Sequence, residues 1–413
     1  MANQKVLKFP DNFLWGAVTS AYQVEGANTN NDWWQWEQLE GKIADHSRCG
    51  LSANHYHLYQ EDFDIAKELG HNAHRFSLEW SRIEPEEGQW CEEAFDHYRR
   101  VIAALKQRRI TPIVTLWHFT LPFWLAEKGG FENPQSVTFF ERYAAKVVQA
   151  LGEDVDYWLT VNEPMVYLYS AYLQKAWPPG KNIGPGVFTV LKNIILAHRA
   201  AYQAIHQASR QFLDKKPLVG LTAYIRIFQP SRQYSFLDRA AARFKDYYFN
   251  DYFLKKSKGA LDYIGLDYYT RELTRLDIAK PAQLFKEGSA NKEAAVTDLG
   301  WEIYPQGIYL ALVKLKKYKL PIIITENGLA DGADSQRAQF ILNHLIQVHR
   351  AIEEGIDVRG YLYWSLLDNF EWAEGFRPRF GLVEVDYATQ RRRIRVSAHT
   401  YAKICKTNAI FAE

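Results

Sequence analysis

The chain has 413 residues, 47% of them hydrophobic and 24% charged, so it can bury a large core and is not a disordered segment. Lys plus Arg total 50 against 48 Asp plus Glu, and a formal net charge of +2 lacks the basic field that a nucleic-acid or membrane-surface binder needs. Three dispersed cysteines, Cys49, Cys91 and Cys405, form no CxxC pair, which excludes a disulfide framework or a zinc site and points to a reducing compartment.

Taken in chain order, short apolar runs alternate with longer amphipathic stretches. Residues 13–18 open the series. An amphipathic stretch at 56–69 precedes the run 73–78, and 95–107 precedes 110–116. Residues 139–151 lead to 157–161, and 187–208 lead to 218–223. The run 263–266 is followed by 306–317, then by 322–325, and finally 334–354 leads to 360–364. The long stretches place apolar residues at helical spacing, and Gly70 and Gly355 stand where helix C-caps belong. The eight short runs are continuously apolar rather than alternating, as in parallel strands buried on both faces. Eight such strands alternating with helices predict a single α/β domain over residues 1–413, a (β/α)8 TIM barrel. A doubly wound sheet is the competing architecture, but no GxGxxG or GxxxxGK[ST] follows the first run. The N-terminus carries no apolar run long enough for a signal peptide. No stretch approaches the ~20 apolar residues of a membrane span, so a soluble, cytoplasmic protein is expected.

A barrel places its chemistry at the C-terminal ends of the strands. There the sequence sets Gln23 and Glu25 after the first run, Arg75 in the second, and His118 after the third. Asn162 and Glu163 end the fourth, Asp267 and Tyr269 the sixth, Glu326 the seventh and Trp364 the eighth. Glu163 and Glu326 lie half a barrel apart and can face each other across the mouth. Two opposed carboxylates are what glycosidic cleavage requires, one to protonate the leaving oxygen and one to attack the anomeric carbon or activate water. The plainer alternative is that each caps a helix or pairs with an arginine. The aromatic residues are 13 Trp, 25 Tyr and 23 Phe. Many flank polar groups, which suits a ligand with apolar C–H faces and many hydroxyls.

At these positions the chain resembles glycoside hydrolase family 1, the β-glucosidase and β-galactosidase family, over nearly its whole length. The strings are FLWGAVTSAYQVEG at 13–26, RFS at 75–77 with WSRI at 80–83, TVNEP at 160–164, ITENG at 324–328, YWSLLDNFEW at 363–372 and RFGLV at 379–383. The resemblance implies a retaining β-glycosidase, most simply a β-glucosidase, with no cofactor and no metal. Its partner would be a small carbohydrate substrate. Glu163 would be the acid/base and Glu326 the nucleophile. Tyr269 and Arg75 would orient Glu326. Gln23, His118, Phe119, Asn162, Trp364, Glu371, Trp372 and Phe380 would hold the sugar. A transglycosylase on the same site, or a non-catalytic carbohydrate-binding protein, are the alternatives.

The chain departs from the family pattern in three places. Phe119 stands where an indole is usual. Asp267 stands where Asn is usual, which should disturb the titration of the catalytic pair. The connections 174–185 and 271–298 are abbreviated, which predicts an open leaving-group site. Glu371 would repel a 6-phosphate, so unphosphorylated glycosides are expected. The histidines 55, 57, 71 and 74 lack enough neighbouring ligands for a metal site. The basic run 391–395 reads as a solvated hairpin or loop.

Overall fold

The computed structural model describes residues 5–276, 291 and 293–412. Eight parallel strands form the central barrel. They are β1 (Leu14–Thr19), β2 (Ala73–Ser77), β3 (Thr111–Trp117), β4 (Tyr157–Val161), β5 (Leu218–Gly220 and Thr222–Tyr224), β6 (Ile264–Asp267), β7 (Ile322–Asn327) and β8 (Val358–Tyr363). Each pairs with its sequence neighbours, and β8 returns to β1 through Leu362 opposite Gly16.

The run 218–223, read as one strand, is two pieces. The first, ending at Gly220, pairs with β4, and the second, from Thr222, pairs with β6. Leu221 sits at the changeover, yet its carbonyl still accepts from the Gly265 amide at 2.9 Å. The break therefore lets one strand serve two neighbours whose ladders are out of step, and the barrel closes through it.

The principal helices match the amphipathic stretches: α1 (His55–Glu68), α2 (Glu92–Gln107), α3 (Ser136–Leu151), α5 (Val187–Ala208), α7 (Gln306–Leu315) and α8 (Arg337–Glu353). Between them lie α4 (Pro164–Leu168) and α6 (Phe236–Lys245), which the sequence did not announce; α9 (Val396–Thr407) follows β8. In α5, Val190, Leu191, Ile194, Ala197, His198, Ala201 and Ile205 are all buried. That is the i, i+4, i+7 stripe of a helix laid against a core. Gly70 and Gly355 adopt φ of 79° in each case, the left-handed conformation that ends a helix.

Two apolar cores result. Val18, Ala73, Ile113, Leu159, Ile323 and Leu362 fill the barrel interior, and a larger set lies between the barrel and its helices. Beneath the barrel, residues Lys5–Lys8 and Ala409–Ala412 pair antiparallel, so both ends of the described chain meet on its floor.

The basic run 391–395 forms a hairpin, Val383–Val385 with Arg392–Ile394, but it is not simply a solvated one. Arg393 is exposed, whereas Arg392 and Arg395 are buried. Arg395 donates to Asp368 at 2.7 Å. Arg392 donates to Asp62 at 2.8 Å, and Asp62 also meets His55 Nδ1 at 2.8 Å. Burial alone would raise Asp62, but the His55 and Arg392 bonds outweigh it and hold the carboxyl below its ordinary value. His71 and His74 are buried and pushed down by desolvation, so they are neutral packing residues. Lys314 and Lys317 both pair with Asp251.

Replacing Arg392 with Met leaves Asp62 buried against His55 alone. Breaking such a pair costs about 3–5 kcal/mol. The variant should therefore unfold at a markedly lower denaturant midpoint near neutral pH. Because the folded Asp62 is held low, the difference should narrow as pH falls through that lowered value. A midpoint equal to the parent's at pH 7 would contradict this.

Candidate active site

Arg75 stands at the centre of the mouth. It points inward from β2 and is fully buried. Its Nε donates to Thr115 Oγ1 of β3 at 3.0 Å, its Nη1 to Glu326 Oε1 of β7 at 2.7 Å, and its Nη2 to Asn162 Oδ1 beyond β4. Asp267 Oδ1 of β6 lies 3.7 Å from Nη1. One guanidinium thus contacts residues of three other strands and the residue just past a fourth.

Glu326 and Asp267 are side by side because β6 and β7 pair in that register. Tyr269, two residues on and so on the same face, donates to Glu326 Oε2 at 2.6 Å. Thr325 Oγ1 donates to Asp267 Oδ1 at 2.6 Å. Past Glu326, Gly328 has room for no side chain, since a Cβ there would lie 1.9 Å from the Trp364 carbonyl oxygen. The β8 loop is thereby pressed against the end of β7.

Glu163 follows β4 and begins α4 in the left-handed region, at φ 38°. That conformation is uncommon for a residue with a side chain and is frequent at functional sites. The backbone N–H of Glu163 donates to Thr222 Oγ1 at 3.0 Å. Its buried carboxyl faces that of Asp267, and the two interact by sharing a proton, which Glu163 keeps. Carboxylate oxygens of Glu163, Asp267 and Glu326 lie within 4.8 Å of one another. Among the described residues this is the one grouping close enough to hold a cation, but Arg75 already sits against it.

Three carboxyls around one guanidinium cannot all ionise easily. Burial, then Asp267 and Glu326, raise Glu163 well above the carboxylate range, with Arg75 opposing. Burial also raises Asp267, against Arg75 and Thr325. A cation and a phenol bonded to Glu326 would by themselves hold it low and ionised. Instead burial, followed by the Asp267 charge, pushes it up to about 8 despite both partners. Asp267 is the neighbour that tips this balance. Glu163 lacks the cation and the phenol that Glu326 has, so it keeps its proton longest.

Asn162 has a fixed orientation. Its Oδ1 faces Arg75 and the Thr222 hydroxyl, so its Nδ2 points to His118 Nε2 at 3.3 Å. Burial and the Arg75 charge keep His118 neutral. With Nε2 accepting, the proton resides on Nδ1, which is buried and unpartnered at the cleft wall. It is a donor ready for a hydroxyl. Gln23 Nε2 donates to Asn369 Oδ1 at 3.0 Å and the Phe370 carbonyl at 2.9 Å, and lies 3.3 Å from Glu371. Enclosure by the cleft, then Glu374, raise Glu371 to about 8, with Gln23 and Trp364 opposing.

These groups line one cleft of about 460 Å³. Every residue expected to hold substrate is in it or against it. Gln23, His118, Phe119, Trp364, Glu371, Trp372 and Phe380 form its wall, with Asn162 behind His118. Trp364 and Trp372 lie nearly parallel to the His118 ring at 6.1 and 5.9 Å. Glu25, by contrast, is committed to Arg82 at 2.8 Å.

Sequence reasoning missed Trp177, Arg226, Phe249 and Trp301, which also line the cleft. Trp177 packs on Phe119 at 4.8 Å and on Trp33 at 5.5 Å. It lies within the 174–185 connection already singled out as a wall, and an indole there was the available signal. In the 271–298 connection, residues 277–290 and 292 lie outside the described ones. Asp298, its last residue, reaches the cleft.

The family model described as glycosyl hydrolase family 1 matches residues 5–257 and 248–410. "Beta-glucosidase A" of Thermotoga maritima is 33% identical, covering 98% of this chain and 99% of that one. "Beta-galactosidase" of Pyrococcus woesei is 32% identical over 97% and 98%. Among solved structures, a β-glycosidase from Pyrococcus horikoshii superposes with a TM-score of 0.92 at 42% identity, covering 98% and 96%. The Thermotoga maritima β-glucosidase in complex with glucoimidazole superposes at 0.90 and 31% identity, over 98% of this chain and 100% of that one. With the barrel, the paired glutamates and matches over almost the full length in agreement, the chain belongs to glycosyl hydrolase family 1.

Proposed function

We propose that the protein is a retaining β-glycosidase, a β-glucosidase foremost, that hydrolyses unphosphorylated β-glycosides. The observation that carries this is the opposition of Glu163 and Glu326 within 4.8 Å at the mouth, with Arg75 and Tyr269 bound to Glu326 alone. The asymmetry assigns the roles. Glu326, bonded to a cation and a phenol, is the nucleophile. Glu163, with neither, carries the proton to the leaving oxygen. The short carboxyl separation suits direct attack rather than an interposed water.

In the first step the Glu326 carboxylate attacks the anomeric carbon, the glycosidic bond breaks, and the Glu163 proton passes to the departing oxygen. Esterified Glu326 bears no charge, so one source of the raised Glu163 pKa disappears. Glu163 then accepts a proton from the incoming water, which releases the sugar with its configuration retained. Asp267 persists through both steps. It favours the protonated Glu163 needed first and opposes the deprotonated one needed second. His118 Nδ1–H is placed to bind a ring hydroxyl, with Asn162 fixing its tautomer from behind, and Glu371 with Gln23 to bind the far edge of the sugar. The β-glucosidase and β-galactosidase names of the relatives support this reading. A cytoplasmic location accords with three free cysteines, two of them buried.

Glu326→Ala should lower kcat on p-nitrophenyl β-glucoside by several orders of magnitude. A variant as fast as the parent would overturn the assignment and favour a binding protein. Asp267→Asn removes a charge that raises both Glu163 and Glu326, so both limbs of the pH–kcat/KM profile should move to lower pH. An unmoved profile would show that Asp267 does not govern the pair. Across a panel of p-nitrophenyl glycosides, the β-glucoside should exceed its 6-phosphate in kcat/KM, because Glu371 offers a phosphate no counter-charge: ionised it repels the group, and kept protonated by burial it leaves the dianion unpaired. The reverse order would refute the substrate class.

A further inference from the structure

The long connection from β1 to α1 gives Gln23 to the cleft wall and then turns away. Among the described residues, none from 24 to 54 lines the cleft. The connection nevertheless holds three loops that do. Asp32 exchanges bonds with Leu121, two residues past Phe119: its N–H donates to the Leu121 carbonyl at 3.0 Å, and its carboxylate accepts from the Leu121 amide at 2.8 Å. Trp36 Nε1 donates to the Ala176 carbonyl at 3.1 Å, beside Trp177. The Ala44 N–H donates to the Ala373 carbonyl at 2.7 Å, and Asp45 follows it onto the same loop.

The Asp45 contact is built with care on both sides. Its Oδ1 stays within its own loop, accepting from the Ser47 N–H at 2.9 Å and the Ser47 hydroxyl at 2.5 Å. Its Oδ2 reaches across and accepts from the Phe376 N–H at 2.7 Å. The carboxyl lies directly on Gly375, where φ is 69° and an added Cβ would stand 1.9 Å from Oδ1. Only glycine permits that approach. Burial alone would raise Asp45, but the Ser47 bonds, then the Phe376 and Arg377 amides, outweigh it and hold the carboxyl below its ordinary value. An anion before successive backbone N–H groups makes strong, directional bonds.

From Gly375 the constraint passes to the cleft through the backbone. The Gly375 carbonyl accepts from the Glu371 N–H at 2.8 Å, and its N–H donates to the Trp372 carbonyl at 3.2 Å. Glu371 and Trp372 are wall residues, and Asp45 is not. With the anomeric carbon at Glu326, the far edge of a pyranose carries the 4-hydroxyl and the exocyclic hydroxymethyl group. A site built to bond a hydroxyl discriminates against an analogue that lacks it, provided its groups are held in place. A misplacement of about 1 Å far from the chemistry can cost on the order of 100-fold.

On the reading of the cleft given above, we propose that Asp45 is a positioning residue for glycone recognition, fixing residues 371–377 so that Glu371 and Trp372 meet the hydroxymethyl edge of the sugar. It touches neither substrate nor reacting atoms. The nucleophile keeps its own supports, Arg75 and Tyr269, whatever stands at position 45.

The test compares kcat/KM for p-nitrophenyl β-glucoside and p-nitrophenyl β-xyloside, the same ring without the hydroxymethyl group. The parent should prefer the glucoside. Asp45→Ala should lower that preference by about tenfold, the scale of one bond to a charged group, with most of the loss on the glucoside. Asp45→Asn, equal in size but one acceptor poorer, should fall between the two. If Asp45→Ala does not fold, Asp45→Asn decides alone. A parent without the preference, a variant that keeps the parent's ratio, or a variant that loses both substrates in equal proportion would overturn the proposal. The last result would make Asp45 a matter of stability only. No hydrolysis of any aryl glycoside by the parent would instead defeat the glycosidase reading, and the proposal with it.

Discussion

Arg75 is the constraint on which the mouth of this barrel depends. A buried guanidinium must have its donors met, and here Thr115, Asn162 and Glu326 accept from it at three separate strand ends. Those bonds fix the lateral spacing of the strand ends. They also fix the direction in which Asn162 presents its amide, and through that amide the tautomer of His118. The orientation of Glu326 and that of the Asn162–His118 pair thus issue from one buried charge. Removal of Arg75 would leave buried carboxylates unopposed, so its structural and chemical contributions are inseparable.

The carboxyl trio is the counterpart of that cation. Glu163 and Glu326 differ little as side chains, and their division of labour comes from who stands beside them. Asp267 adds a negative charge that neither step consumes. It raises the whole site's affinity for protons and leaves Glu163 and Glu326 in the same order. In this fold a single strand-end substitution can move the working pH without disturbing the geometry of attack, because Asp267 is held by Thr325 and in-register pairing rather than by substrate.

Much of this was legible in the sequence. Strands buried on both faces are continuously apolar, so seven of the eight emerged nearly intact, and each stops at a polar residue because the mouth begins there. The fifth did not, because its break at Leu221 answers to a change of partner that no local pattern encodes. Arg392 and Arg395 looked solvated because a run of arginines usually is; their partners Asp62 and Asp368 are distant in sequence. The upward shift of Glu326 was hidden for the same reason. Arg75 and Tyr269 were expected at its side, but the strength of burial and the proximity of Asp267 are properties of the closed barrel. Trp177 and Arg226 belong to connections, where side-chain direction follows from packing and not from period.

The pairing of Lys5–Lys8 with Ala409–Ala412 closes the floor of the barrel and brings the first and last described strands side by side, at the end opposite the cleft. Geometrically the described residues form nearly a ring. A short bridge could join these two strands, and a new opening cut into an exposed helical connection would leave the catalytic mouth untouched. For the same reason, a surface or scaffold attached beside either of these strands would hold the molecule by its base, with the cleft turned toward solution.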